Sequence, residues 1–71
     1  MENSINIKLA RRIKETRIKR GYTQERLAEL VKTSYKYIQR IEGKSPPDLR
    51  ISSVEKIAIA LDVKISKLLC E

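Results

Sequence analysis

The sequence predicts an all-α fold, a compact bundle of five helices, and three features of the chain support this prediction. Apolar residues recur at helical spacings in several segments, for example at Leu27, Ala28 and Val31. No segment alternates apolar and polar residues for long enough to favour a strand. Residues that cap or end helices separate the periodic segments. With 71 residues, the chain is expected to be one domain over residues 1–71.

The first helix is expected from about Ile5 to Lys19, with Ser4 as its N-cap. Gly21 ends it, because glycine adopts the left-handed conformation that closes a helix at little cost. The buried stripe of this helix is Leu9, Ala10 and Ile13.

Two short helices follow between Thr23 and Glu42. Thr23 is expected to cap the second helix, and Ser34 the third, each by accepting a hydrogen bond from a free backbone N–H. The third helix runs from Tyr35 to about Glu42, and its apolar residues are Ile38 and Ile41. Two apolar faces this close in sequence are expected to pack on one another across an angle.

The sequence after Glu42 predicts a loop followed by two more helices. Gly43 stops the third helix, and Pro46 and Pro47 stiffen the loop that follows. Ser52-x-x-Glu55 is typical of a capping box, so the fourth helix is expected to start near Ser53. Its apolar stripe is Val54, Ile57, Ala58 and Leu61, and a fifth helix is expected at about Ile65 to Leu69.

The positive charge of the chain is concentrated in its first part. Residues 1–44 contain 12 Lys and Arg against 5 Asp and Glu, a balance of +7, whereas residues 45–71 contain 4 of each. The excess therefore lies with the first helix and the two short helices that follow it, and it indicates a polyanionic partner. The outward face of the third helix presents Tyr35, Lys36, Gln39 and Arg40. Polar side chains on such a helix suit the major groove of double-stranded DNA.

This pattern resembles the lambda-repressor-like helix-turn-helix family, which includes phage repressors, Cro proteins and restriction–modification controller proteins. The resemblance covers about Leu9 to Leu69. Its shared residues are Arg17, Gly21, Thr23, Gln24, Leu27, Ala28, Ile38, Ile41, Glu42, Ile57, Ala58, Leu61, Leu68 and Leu69. One departure concerns the turn, where relatives commonly have glycine and this chain has Lys32. A left-handed turn would cost more at this position.

The resemblance implies a role for individual residues. Arg17 is expected to form a partly buried ion pair with Glu42 that holds the third helix at a fixed angle. Arg40 or Lys36 is expected to read a guanine, and Tyr35 to contact a thymine methyl group or a sugar. The residues expected to contact phosphate or to position the helix are Gln24, Ser34, Tyr37, Gln39, Lys44 and Ser45.

A dimer is expected because one such helix covers too few base pairs for a unique site. The fourth and fifth helices must then supply the contact, and the candidates are Ile59, Ile65 and Leu69. The resemblance implies a transcriptional regulator that reads a short palindromic operator. Repression and activation both stay open, and activation would require contact with RNA polymerase.

Other function classes are weaker. The chain has no histidine, and its one cysteine, Cys70, lies near the C-terminus. These counts exclude a disulfide within one chain and a zinc site built from ordinary ligands. The sequence shows no group of residues typical of catalysis, so an enzyme is not expected. No cofactor, small-molecule ligand or membrane segment is indicated, and a cytoplasmic protein is expected. The main alternative is an antitoxin or coactivator that uses the same fold to bind a protein.

Overall fold

The computed structural model describes residues 4–69, with the side chains of residues 5–69, and this part of the chain is all-α as predicted. Its helices are α1 (Ser4–Lys19), α2 (Gln24–Val31), α3 (Tyr35–Ile41), α4 (Ile51–Leu61) and α5 (Ile65–Leu69). The predicted cap at Ser4 and the thiol of Cys70 lie outside the described side chains.

Every helix contributes to one apolar core. Helix α2 packs against α3 and α4, and α5 packs against α1 and α4. The buried core side chains are Leu9, Ile13, Leu27, Ala28, Ile38, Ile41, Val54, Ile57, Ala58, Leu61 and Leu68. Because burying a large aliphatic side chain stabilises a fold by about 1.5–3 kcal/mol, Ile38 and Ile41 hold the inner side of α3 firmly against the bundle.

Three helices end in the same way. After α1, α2 and α4, one residue has a left-handed backbone, namely Gly21 (φ 77°), Lys32 (φ 67°) and Asp62 (φ 59°). At each end, the next amide reaches back to a carbonyl of the last turn, as in the 2.9 Å bond from the Thr33 N–H to the Ala28 carbonyl. This is the Schellman arrangement, which satisfies carbonyl groups that a helix end leaves unpaired.

Lys32→Gly is expected to raise the free energy of unfolding by about 0.5–1 kcal/mol. A side chain in the left-handed region costs about 1–2 kcal/mol, and the greater freedom of glycine in the unfolded chain offsets part of the gain. Urea denaturation measures the change. Asp62→Gly is the matched control, because Asp62 has nearly the same backbone angles but aspartate tolerates them better. A larger gain at Asp62 than at Lys32 would contradict this explanation.

The structure confirms two of the predicted caps and corrects a third. The hydroxyl of Thr23 accepts a hydrogen bond from the Arg26 N–H at 3.0 Å, and that of Ser34 accepts one from the Tyr37 N–H at 3.1 Å. The capping box predicted for α4 is wrong. This helix begins at Ile51, and its N-cap residue, Arg50, makes no side-chain capping bond.

Packing against the core explains the earlier start of α4. Leu49 packs against the core immediately before the helix. The carbonyl of Arg50 then accepts the first helical hydrogen bond, from the Val54 N–H at 3.0 Å. The helix therefore begins where the chain meets the bundle, and tertiary contacts override the local capping signal.

Candidate nucleic-acid interface

The outer face of α3 is polar and open to solvent. Tyr35, Lys36, Gln39 and Arg40 are all exposed. Since successive residues of an α-helix are rotated by about 100°, these four side chains occupy one continuous side. Ile38 and Ile41 point the opposite way and are buried. The helix therefore presents two cations, an amide and a phenol on a rigidly packed support.

Tyr37 is not part of this outer face. Its side chain is half-buried and packs against the core. It also lines a small cavity of about 170 Å³ together with Lys56 and Ile57 of α4. The sequence pairs Tyr37 with Gln39 as flanking residues, but the structure separates them, because Tyr37 is rotated by about 160° from Gln39 around α3 and packs against the core.

A bidentate ion pair locks the end of α3 to α1. Arg17 donates through Nε to Oε2 of Glu42 at 2.8 Å and through Nη2 to Oε1 at 3.0 Å. The Glu42 side chain is 2% exposed and that of Arg17 is 11% exposed. The pair expected between these two residues is therefore present and shielded from water, where paired charged hydrogen bonds are at their strongest.

Two further hydrogen bonds extend this contact into a network. Arg17 donates through Nη1 to the backbone carbonyl of Tyr22 at 2.7 Å, and Gln24 donates through Nε2 to Oε1 of Glu42 at 3.0 Å. The network joins the last turn of α1, the first turn of α2 and the C-terminal end of α3. Sequence reasoning missed the Tyr22 carbonyl, although the Gly21 turn, which brings that carbonyl back toward α1, was a usable signal.

The remaining candidates near α3 are exposed polar side chains. Ser34 stands at the N-terminal end of the helix, and its hydroxyl caps the first turn. Lys44 and Ser45 follow the C-terminal end, where they lie in an exposed loop. Gly43 leads into that loop, and a Cβ atom at this position would approach the Gln39 carbonyl oxygen to 3.1 Å. Glycine is therefore favoured at position 43, because any other residue would place its Cβ atom too close to this carbonyl oxygen.

The apolar candidates on α4 and α5 differ in accessibility. Ile59 is 71% exposed and Leu69 is 44% exposed. Ile65 is half-buried and packs against the core. The structure therefore leaves Ile59 and Leu69 free to contact another surface, whereas most of Ile65 already serves the fold.

Within residues 4–69, no cluster of acidic, cysteine or histidine side chains could hold a metal ion. In the same part of the chain, no helix combines the length and the apolar character needed to cross a membrane.

Comparisons with known proteins give a consistent result. The helix-turn-helix domain family matches residues 10–70. A hypothetical transcription factor, NHTF from Neisseria, is 29% identical with a TM-score of 0.86, covering 97% of this chain and 78% of that one. The chain matches no curated protein sequence.

Two similar structures contain DNA. The restriction–modification controller protein C.Esp1396I, bound to a 19-base-pair duplex, is 32% identical with a TM-score of 0.83, covering 92% of this chain and 85% of that one. SinR, a master regulator for biofilm formation solved in complex with DNA, is 33% identical with a TM-score of 0.79, covering 86% of this chain and 97% of that one.

The family match spans nearly the whole chain, and the similar structures share its five-helix arrangement with high TM-scores. The chain therefore belongs to the helix-turn-helix domain family, in its lambda-repressor-like branch.

Proposed function

We propose that this protein is a transcriptional regulator that binds double-stranded DNA sequence-specifically and reads a short palindromic operator as a dimer. The outer face of α3 carries this proposal, because it holds four exposed side chains that can donate to or contact base edges. The buried network of Arg17, Gln24 and Glu42 supports it by fixing the helix that presents them. The similar proteins C.Esp1396I and SinR are found bound to DNA.

Base recognition is assigned to three residues of the outer face. Arg40 lies one turn after Lys36, so both cations point to the same side of α3. Arginine can donate two hydrogen bonds to O6 and N7 of one guanine, and lysine can donate to the same atoms. Tyr35 offers a ring for contact with a thymine methyl group. A G·C pair read by Arg40 or Lys36 in each half-site follows from this chemistry.

Other residues are assigned to the DNA backbone. The amide nitrogen of Gln24 carries two hydrogens, and one remains for a phosphate after the bond to Glu42. The hydroxyl of Ser34 accepts from its own helix and keeps its hydrogen to donate. Gln39, Lys44 and Ser45 are exposed beside the same face, whereas Tyr37 is suited only to a flanking contact.

A dimer supplies the second half-site. One helix in the major groove reads only a few base pairs, so regulators of this type bind two half-sites about one helical turn apart. Ile59 and Leu69 are the exposed apolar residues best suited to the dimer contact, with the accessible edge of Ile65 beside them. Two chains of charge +7 repel one another, so neutralisation by DNA favours the dimer. RNA polymerase would be a further partner only for activation.

Selection from a random duplex pool tests the proposal. The selected duplex and a scrambled control are then bound by the protein across a series of salt concentrations. A palindromic sequence bound about a thousandfold more tightly than the control is the expected result. Enrichment of no sequence, with equal and salt-sensitive binding to both duplexes, would contradict operator reading and direct the search to a protein partner.

A further inference from the structure

A second basic surface lies on the side of α1 that faces α5. It is a cleft of about 390 Å³, and its cationic side chains are Arg12, Lys19, Arg20 and Lys67. Glu15 and Thr16 complete the α1 side, and Val63 lies at the α4–α5 turn. Residues 12, 15, 16 and 19 are spaced as i, i+3, i+4 and i+7, so one side of α1 forms a wall of the cleft. We name this surface, with the seven residues above, the phosphate cleft.

The phosphate cleft is separate from the outer face of α3. Arg17, the α1 residue that reaches the end of α3, is rotated by roughly 100° or more around α1 from Arg12, Thr16 and Lys19. The cleft follows the seam between α1 and α5, whereas α3 packs against α2. A ligand in the cleft therefore does not need to share the surface proposed for base reading.

The charges in the phosphate cleft are poorly balanced. Lys19, Arg20 and Lys67 face one carboxylate, that of Glu15, which leaves a balance of +2 among these four described residues. Neither Lys19 nor Lys67 has an ion pair with any residue from 5 to 69. Like charges gathered in one concavity repel one another, and a bound anion relieves that repulsion.

Backbone contacts hold two guanidinium groups at the walls of the phosphate cleft. Arg20 donates through Nη2 to the carbonyl of Asp62 at 2.8 Å, and Arg12 donates through Nη1 to the carbonyl of Leu68 at 3.3 Å. The carbonyl of Asp62 positions the guanidinium of Arg20 without neutralising its charge. Arginine has five N–H donors, so Arg20 keeps donors beyond this one bond. Arg20 is therefore partly pre-organised for an anion.

We propose that the phosphate cleft binds the oligophosphate group of a small molecule, such as a nucleoside diphosphate or triphosphate. Its volume lies in the range of small-molecule sites, about 300–1,000 Å³. Several cations spread over two walls match a chain of phosphates better than one carboxylate, and arginine, lysine and a threonine hydroxyl all donate to phosphate oxygens. Because the cleft lies along the α1–α5 seam and not on the outer face of α3, a duplex read by that face is not the ligand assigned to it.

Two-dimensional ¹⁵N–¹H NMR of the full chain, titrated with inorganic tripolyphosphate at constant ionic strength, tests this site. Saturating shifts are expected at the amides of Thr16, Lys19, Arg20, Val63 and Lys67. Lys19→Gln combined with Lys67→Gln is expected to weaken binding at least about tenfold, because each lysine supplies a charged hydrogen bond. Both side chains are exposed, and the spectrum itself reports whether the variant is folded.

The matched control combines Lys14→Gln with Lys56→Gln, which removes the same charge from exposed positions outside the phosphate cleft. Its affinity for tripolyphosphate is expected to stay within about twofold of the original. Equal weakening by both variants, or shifts that spread over all basic surfaces without saturating, would overturn the proposal. The proposal would also be overturned if a scrambled duplex shifted the amides of the phosphate cleft and tripolyphosphate did not. The cleft would then be an accessory contact for the DNA backbone. None of these titrations requires an operator.

Discussion

Arg17→Met is expected to lower the free energy of unfolding by about 3–5 kcal/mol, the cost of breaking a buried ion pair from one side. The substitution leaves the carboxylate of Glu42, which is 2% exposed, without its charged partner. Among the side chains of residues 5–69, Gln24 then supplies the one remaining hydrogen bond to that carboxylate. The carbonyl of Tyr22 also loses its donor. Methionine keeps much of the aliphatic volume of the arginine, so the loss reports mainly on charge and hydrogen bonding.

Urea denaturation measures this loss, and Arg26→Met is the matched control. Arg26 pairs with Glu29 at 3.0 Å, but their side chains are 56% and 69% exposed. Removal of such a surface pair costs about 0–1 kcal/mol. An Arg17→Met variant that loses no more stability than the control would contradict the role assigned to the buried pair.

A second variant separates the cost of breaking the pair from the value of the pair itself. Arg17→Met combined with Glu42→Met removes both charges, and it is expected to recover part of the lost stability. DNA binding should not recover with it, because the hydrogen bonds that orient the end of α3 are absent from the double variant.

Arg40→Ala is expected to lose discrimination at one base pair of each half-site by about 1–3 kcal/mol. This corresponds to roughly 5- to 150-fold in relative affinity. The side chain of Arg40 is exposed on the outer face of α3 and makes no hydrogen bond or ion pair with residues 5–69. Its removal should therefore change recognition without changing stability. Binding of the variant to operators substituted at each position measures the effect.

Lys44→Ala is the control for base reading. Lys44 lies in the exposed loop after α3 and is proposed to contact phosphate, so the variant should weaken every duplex by the same factor. The slope of log affinity against log salt should fall by about one. Uniform weakening by Arg40→Ala would contradict its base-reading role, and a changed sequence preference in Lys44→Ala would contradict a phosphate contact.

Local signals in the sequence predict the helices around the candidate interface closely. Thr23 and Ser34 cap α2 and α3 as expected, because a side chain that bonds a backbone amide three residues ahead needs no distant partner. The left-handed residue Gly21 has the same local origin. The partnership of Arg17 with Glu42 follows from the family resemblance, since nothing in local spacing brings together residues 25 positions apart.

Other features depend on contacts between distant elements. The sequence predicts a capping box for α4, but the contact of Leu49 with the core sets an earlier start. Tyr37 is predicted to lie beside the DNA-facing residues, but it is half-buried and packs against the core. Ile65 is predicted as a dimer candidate that the bundle does not bury completely, and the structure shows how much of it the fold uses, since it is half-buried and packs against the core.

The sequence by itself determined the all-α class, the cap-defined starts of α2 and α3, and the residues on the outer face of α3. These properties arise from helical periodicity and from hydrogen bonds within a few residues. Only the tertiary structure decided the start of α4, the packing of Tyr37 against the core, and the meeting of Lys19 and Lys67 in one cleft. The reason is that packing of whole helices places residues together across the chain, and no short-range pattern encodes such a meeting.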